Sequence, residues 1–301
     1  MKQNDATDNQ VGHAGPRILD GRVARDFFKK NLSEKITLFK KQTGITPTLA
    51  IIQIGNREDS NSYISNKKKF AEAIGATVVH QIFPETVGTE EIVNAINSYN
   101  ADKSTHGVIV QLPIPPDLDK KRIINAIDSA KDVDGLTDSS ILGWNSPATG
   151  GMFPATARGI KELLEFYNIS LSGKRVAVVG RSMLVGKPTA VMCERAGAEV
   201  TVAHSKTENL IAVTKPADMI IVAVGKPDLI TADHVRSGQV IVDVGTTPTA
   251  MGLVGDVSFE EVTAVIGGHG AITPVPGGVG AMTVLALFEN LLDACYNQHK
   301  V

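Results

Sequence analysis

Tyr63 and Lys67 lie four residues apart in Ser60-Asn61-Ser62-Tyr63-Ile64-Ser65-Asn66-Lys67-Lys68-Lys69, a stretch with helical character. Residues i and i+4 share a helix face, so a phenol ring and an ammonium can line one small pocket. An aromatic wall partly desolvates a lysine, which lowers its pKa and makes it usable in proton transfer. The competing reading is a solvated face, which three consecutive lysines on an amphipathic helix ordinarily make. Gln111 ends the apolar run Val108-Ile109-Val110-Gln111-Leu112-Pro113. A polar residue at the carboxyl end of a parallel strand faces the ligand crevice, although pairing with backbone at the Pro113 turn is the alternative. Lys131-Asp132-Val133-Asp134-Gly135 sets two carboxylates around a turn. Either they cap backbone N–H groups, or Asp134 accepts two hydrogen bonds from an aminopyrimidine-like edge.

A second chemistry is legible farther along. Arg175 to Val179 is an apolar strand ending at Gly180, and Arg181-Ser182-Met183-Leu184-Val185-Gly186-Lys187-Pro188 follows and opens a helix. Strand, tight glycine turn and helix amino-terminus form a dinucleotide loop, with the pyrophosphate at the helix end. Only Gly180 and Gly186 are present, so the pattern is not GxGxxG, and an ordinary strand-to-helix turn competes. The next strand ends in Ala203-His204-Ser205-Lys206-Thr207, where an NAD site places an acid. His204 and Ser205, with Arg181 near, suit a ribose phosphate, which favours NADP; a capped surface turn is the other reading. Pro274-Val275-Pro276-Gly277-Gly278-Val279-Gly280 is stiff and poor in side chains, so its backbone can approach a flat ring closely, unless it only links domains. Asp256 and His269 have no partners at metal-ligand spacing, and no metal is expected. Tyr-x-x-x-Lys also marks short-chain dehydrogenases, but there it follows the glycine loop; here it precedes it, which excludes that family.

The elements that must position these groups alternate. Continuous β-branched runs at Thr48 to Ile54, Thr77 to Ile82 and Gly107 to Leu112 read as buried parallel strands. Helices fit the Tyr63/Lys67 segment up to its stop at Gly75, and Glu90 to Tyr99. Periodicity fails from Lys131 to Phe153, where a domain boundary is expected. A helix from Thr156 to Tyr167 leads into strands at Arg175 to Val179, Glu199 to Ala203, Met219 to Val224 and Val240 to Val244. The apolar helix from Thr283 to Cys295 is expected to return to the first domain. The fold class is therefore α/β in two domains: a flexible leader (1–17), a catalytic domain (18–153, with 281–301 packing back on it) and a Rossmann-like domain (154–280).

The chain has 301 residues, 43% hydrophobic and 21% charged, with a formal charge of -2. That balance argues against nucleic-acid and anionic-membrane binding, which rely on a basic excess. Cys193 and Cys295, far apart, exclude a disulfide scaffold and suit a reducing compartment. The leader lacks a signal peptide's apolar core, and no apolar run is read as long enough to span a bilayer, so the expected location is cytoplasmic.

From Ile18-Leu19-Asp20-Gly21 to the final helix, the sequence resembles the bifunctional methylenetetrahydrofolate dehydrogenase/methenyltetrahydrofolate cyclohydrolase family. The Tyr63/Lys67 helix, Val110-Gln111-Leu112-Pro113, Asp132-Val133-Asp134-Gly135, Gly180-Arg181-Ser182 and Pro274 to Gly280 occur in the family's order. The resemblance implies oxidation of methylenetetrahydrofolate with NADP and hydrolysis to 10-formyltetrahydrofolate, in one-carbon metabolism that feeds purine biosynthesis. It implies Lys67 as the proton-transfer residue, Tyr63 against the folate rings, Gln111 tuning Lys67 and Asp134 on the pterin edge. It also implies Leu112, Pro276, Gly277, Gly278 and Gly280 bordering the substrate, and Gly180, Arg181, Ser182, Gly186, His204 and Ser205 holding NADP. A homodimer through the NADP domain follows from the same likeness. Departures are Ala155 and Ala157 in Pro154-Ala155-Thr156-Ala157, Thr246 and Thr247 after Gly245, and Ala281 where proline is common. They leave the catalytic set intact and bear on cofactor affinity. Rival readings are a dehydrogenase of the same build acting on a shikimate-type or amino-acid substrate, and a non-catalytic NADP-binding regulator.

Overall fold

The computed structural model describes residues 15–146, 152–250 and 252–301, so the expected leader lies outside it as far as residue 14. In chain order, β1 (Arg17–Ile18) and α1 (Gly21–Thr43) precede a first alternating series. That series is β2 (Thr48–Ile54), α2 (Glu58–Ile74), β3 (Thr77–Phe83), α3 (Thr89–Ala101) and β4 (Gly107–Val110). The short helices α4 (Lys120–Asn125) and α5 (Asp138–Asn145) lead to α6 (Ala155–Phe166). The second series is β5 (Arg175–Val179), α7 (Gly186–Arg195), β6 (Glu199–Ala203), α8 (Leu210–Thr214), β7 (Met219–Val222) and β8 (Val240–Asp243). A hairpin of β9 (Thr247–Thr249) and β10 (Gly252–Val254), then α9 (Phe259–Ile266), β11 (Ala271–Ile272) and α10 (Val279–His299) complete it.

Two parallel sheets result. The first has the order β3-β2-β4, and the second has the order β1-β11-β8-β7-β5-β6. Leu49 to Ile54 are all buried, which is why β2 reads as an unbroken apolar run rather than an alternating one. β1 is the unexpected member: Arg17 and Ile18 pair with Ala271 and Ile272 of the second sheet, far away in sequence. Two residues carry no periodicity, so only the tertiary pairing reveals that strand. The helices α4 and α5 also went unread, because they fall within Pro-, Asp- and Ser-rich sequence. Their caps are nonetheless local: Asp119 accepts from the Arg122 amide, and Thr137 from that of Ser140.

α10 closes the molecule. Its 21 residues are long and apolar enough, by length and composition alone, to cross a bilayer, which corrects the sequence reading. Yet 61% of that window is buried within the protein. Leu285, Phe288 and Leu291 are fully covered, and each such side chain contributes about 1.5–3 kcal/mol. Phe288 packs on Phe70 of α2, and Tyr296 meets Phe39 of α1 edge-on. Gln298 donates to the carbonyls of His106 (2.8 Å) and Ala130 (3.0 Å), so the helix returns to the first sheet as expected. Its apolarity is spent on joining the two halves.

Candidate active site

α2 leaves the carboxyl end of β2 and stops at Gly75, whose φ of 80° completes the helix. Its start is fastened by buried Gln53 of β2, which donates to Asn61 Oδ1 (2.8 Å) and to the Gly55 carbonyl (3.1 Å). Gln53 Oε1 faces His80 Nε2 (2.8 Å), and Lys68 donates to His80 Nδ1 (2.9 Å). Burial, aided by Lys68, holds His80 below its usual pKa, in keeping with the neutral ring this chain of bonds requires. The three lysines thus part company: Lys68 goes to His80, Lys69 is exposed, and Lys67 turns inward.

Lys67 Nζ donates to Gln111 Oε1 at 2.8 Å. Gln111 sits one residue beyond β4 rather than closing it, and its amide still donates to Ile52 O (2.8 Å), so the ladder fixes its place. Its Nε2 donates to Leu112 O (2.9 Å), which turns the acceptor oxygen toward the lysine. Burial lowers the pKa of Lys67, and the Asp134 charge opposes that shift. Burial raises the carboxyl of Asp134, against the pull of Lys67. Both groups are pushed toward their neutral forms.

The 131–135 turn separates its two carboxylates. Asp132 is consumed by backbone, accepting from Leu136 N (3.2 Å) and Thr137 N (2.8 Å), while Asp134 faces the cavity. Gly135 has φ 69°, and a Cβ there would stand 2.7 Å from the Met152 carbonyl oxygen. Fully buried Trp144 donates to Gly135 O (3.3 Å), and Asn290 of α10 donates to Val133 O (2.8 Å) and Phe153 O (2.9 Å). Neither support is signalled in the sequence.

Lys67, Gln111, Leu112 and Asp134 line a cavity of about 290 Å³. Its far wall comes from the second half and α10: Ala155, Thr156, Leu184, Val185, Thr283 and Leu287. Of these wall positions only Ala155 was flagged in the sequence, as a departure. Tyr63 shares the Lys67 face but is 47% exposed, outside the enclosed part. Pro276, Gly277, Gly278 and Gly280 also lie outside that cavity's lining. Gly277 O accepts from Gly21 N (2.9 Å), and a Cβ on Gly21 would stand 2.0 Å from Gly278 O, so these two blocks are mated.

At the second sheet, Gly180 has φ 122°, and a Cβ there would meet Ala223 O at 2.4 Å. One on Gly186 would meet Gly180 O at 2.2 Å, so both positions of the turn demand glycine. Ser182 Oγ accepts from the amides of Val185 (3.2 Å) and Gly186 (3.4 Å) at the start of α7, and Arg181 is exposed beside it. The stripped backbone at a helix amino-terminus fits a pyrophosphate. His204 Nδ1 accepts from Lys206 N (3.1 Å), so its ring does cap the turn after β6, while Ser205 is exposed. Among the described residues no group of three His, Cys, Asp or Glu side chains could hold a metal ion.

Residues 19–134 match the family model for the tetrahydrofolate dehydrogenase/cyclohydrolase catalytic domain, and 154–299 match that for its NAD(P)-binding domain. The chain is 44% identical over 279 residues to the bifunctional protein FolD of Ligilactobacillus salivarius, covering 92% of this chain and 95% of that one. The structure of bifunctional FolD from Campylobacter jejuni matches with TM-score 0.89 at 40% identity, covering 93% of this chain and 98% of that chain. FolD from Trypanosoma brucei, solved with NADP and an inhibitor, matches with TM-score 0.90 at 32% identity, covering 96% and 100%.

Proposed function

The chain belongs to the tetrahydrofolate dehydrogenase/cyclohydrolase family, and from that premise we propose that both reactions run in the Lys67 cavity, with Lys67 carrying the proton. The protein is an NADP-dependent methylenetetrahydrofolate dehydrogenase and methenyltetrahydrofolate cyclohydrolase. The single observation that carries the finer reading is the 2.8 Å bond from Lys67 Nζ to a Gln111 oxygen, beside Asp134.

When bound, NADP would supply the acceptor for the hydride that leaves the methylene carbon. For that step the protein's task is alignment, and no side chain needs to move a proton. Asp134 holds the pterin by accepting from its amine and ring N–H, which favours the ionised carboxylate against the effect of burial. Tyr63 packs against the rings at the cavity mouth. The dinucleotide is held by Gly180, Arg181, Ser182, Gly186, His204 and Ser205, and the Pro276 to Gly280 backbone borders both ligands.

Hydrolysis of the methenyl cation needs a base and then an acid. Neutral Lys67 removes a proton from the attacking water as its oxygen bonds to the methenyl carbon. The same proton passes to the ring nitrogen as the C–N bond opens, and the hydroxyl proton leaves to solvent as the formyl carbonyl forms on the other nitrogen. A cationic substrate tolerates a lysine only when the lysine is uncharged, and burial favours that form. Gln111, as a fixed acceptor, keeps the lone pair of Nζ aimed into the cavity.

This reading assigns 18–153, with 281–301, to folate and 154–280 to the dinucleotide. A homodimer through the second sheet is supported by edge strand β6, where Val202 is 40% exposed. Two buried free cysteines suit a reducing cytoplasm, and 10-formyltetrahydrofolate suits purine synthesis. The test is product analysis after mixing the protein with methylenetetrahydrofolate and NADP. NADPH together with 10-formyltetrahydrofolate above the protein-free rate is expected. NADPH with methenyl product alone would remove Lys67 from its role, and no NADPH would return the shikimate-type and regulator readings.

A further inference from the structure

Two buried aspartates govern the loops that leave β7 and β8, and neither takes part in the chemistry above. Asp256 is wholly buried; its Oδ2 accepts from the amides of Val224 (2.6 Å) and Gly225 (3.0 Å), and its Oδ1 from that of Lys226 (2.7 Å). Asp243, also buried, accepts from the amides of Gly245 (3.0 Å) and Asp256 (3.0 Å) through Oδ1 and Val257 (3.0 Å) through Oδ2. Its own amide donates to Thr273 Oγ1 (2.7 Å), the residue just before the Pro274 to Gly280 loop. Each aspartate therefore gathers three amides, and the pair ties together three loops at the carboxyl end of the second sheet.

The packing leaves no slack. A Cβ on Gly245 would stand 2.3 Å from Asp256 Cγ, and one on Gly255 would stand 1.9 Å from Asp243 Oδ2. The segment gathered by Asp256 begins beside Ala223, whose carbonyl oxygen would lie 2.4 Å from a Cβ on Gly180. The loop after β7 is thus pressed against the turn of the phosphate loop. In an open parallel sheet that crevice, beyond the carboxyl ends of the strands, receives the ligand. Three adjacent amides turned inward form a concavity that holds its shape only around an anion.

We propose that Asp256, backed by Asp243, is a positioning residue for the dinucleotide. It fixes the backbone of 224–226 against the Gly180 turn, and cofactor affinity depends on it although it touches neither cofactor nor folate. The proposal rests on the reading of this sheet end as the NADP site. An asparagine would preserve the shape but offer one acceptor oxygen in place of two, setting an N–H against a backbone N–H.

The test uses the full chain with Asp256→Asn, and Gly245→Ala as a second variant that displaces the same carboxylate from its other side. NADPH affinity is read by fluorescence titration, and cyclohydrolase activity with preformed methenyltetrahydrofolate and no dinucleotide. The dissociation constant for NADPH should rise about tenfold or more in both variants. Cyclohydrolase kcat and KM should stay within about twofold of the parent's. Unchanged NADPH affinity in the folded variants would overturn the proposal. So would loss of affinity and cyclohydrolase activity in step, which marks general loosening. Should the parent turn over no folate at all, the functional reading fails while the NADPH titration still decides this one.

Discussion

Two cavities in this protein are built from the same materials and push their buried cations in opposite directions. The larger, about 1000 Å³, lies among α1, α6, α7 and α10 and is lined by Lys35, Arg158, Glu162, Glu289 and Asp293. Arg158 donates to Glu162 Oε1 (2.8 Å) and Asn290 Oδ1 (2.8 Å) and is paired with Asp293 and, at 3.4 Å, Glu289. Burial works against its charge, but the three carboxylates more than offset that and hold its pKa above the usual arginine value. Burial, and a hydrogen bond and like charge from Glu162, push the Glu289 carboxyl up to about 9. The smaller cavity buries a lysine near a single carboxylate. There burial wins, and the cation is pushed toward release of its proton. A guanidinium with several partners clamps α6 to α10, whereas an amine with few partners is free to exchange protons. Volume is a poor guide to chemistry here; the number of partners around the buried cation is the better one.

Lys67→Met carries the largest expected effect. It should cut cyclohydrolase turnover by about 10²–10⁴-fold while some dehydrogenase activity remains, with methenyl decay and NADPH formation assayed separately. Equal loss of both would erase the division of labour between alignment and proton transfer. Arg158→Met should cost about 3 kcal/mol in urea unfolding, because it leaves buried carboxylates unpaired. Cyclohydrolase turnover per folded molecule should stay within about twofold. A selective loss of activity would mean that the larger cavity is not merely structural.

The pH dependence separates the cavities further. Because the pKa of Lys67 is lowered, its neutral form gains population below the ordinary lysine range. Cyclohydrolase kcat should therefore rise with pH and level off below that range, and a flat or falling profile would contradict the neutral amine. The smallest effect belongs to Glu289→Gln. Its folded-state value of about 9 against an ordinary 4.5 means that the unfolded chain ionises first, so native stability is lost as pH climbs through that window. The variant should match the parent's thermal stability trend near pH 4 and gain roughly 1 kcal/mol on it near pH 8, since glutamine keeps a donor toward Glu162. An equal response at both pH values would show that Glu289 does not carry the proton.

Much of this was legible from local signals. Thr48 to Ile54 was read with its observed bounds because a strand buried on both faces is uniformly apolar. Gly75 ended α2, and Gly180 and Gly186 marked the turn, because each holds a backbone or contact that a side chain would spoil. The inward course of Lys67 was less secure, since Lys67, Lys68 and Lys69 are alike in sequence. His80 and Gln53 decided which one faces solvent, and both lie on strands read only as strands.

The order of elements, the candidate lysine and the glycine turn are fixed by periodicity, residue type and steric demand, which act over a few residues. Sequence alone therefore determined the α/β class and the chemistry on offer. Only the tertiary structure decided that Arg17–Ile18 extends the second sheet, that α10 hides its apolar face, and that Asp132 caps while Asp134 faces the cavity. The physical reason is common to all three. Each outcome is set by which distant backbone amide or apolar surface comes within reach, and that proximity exists only once the chain has folded.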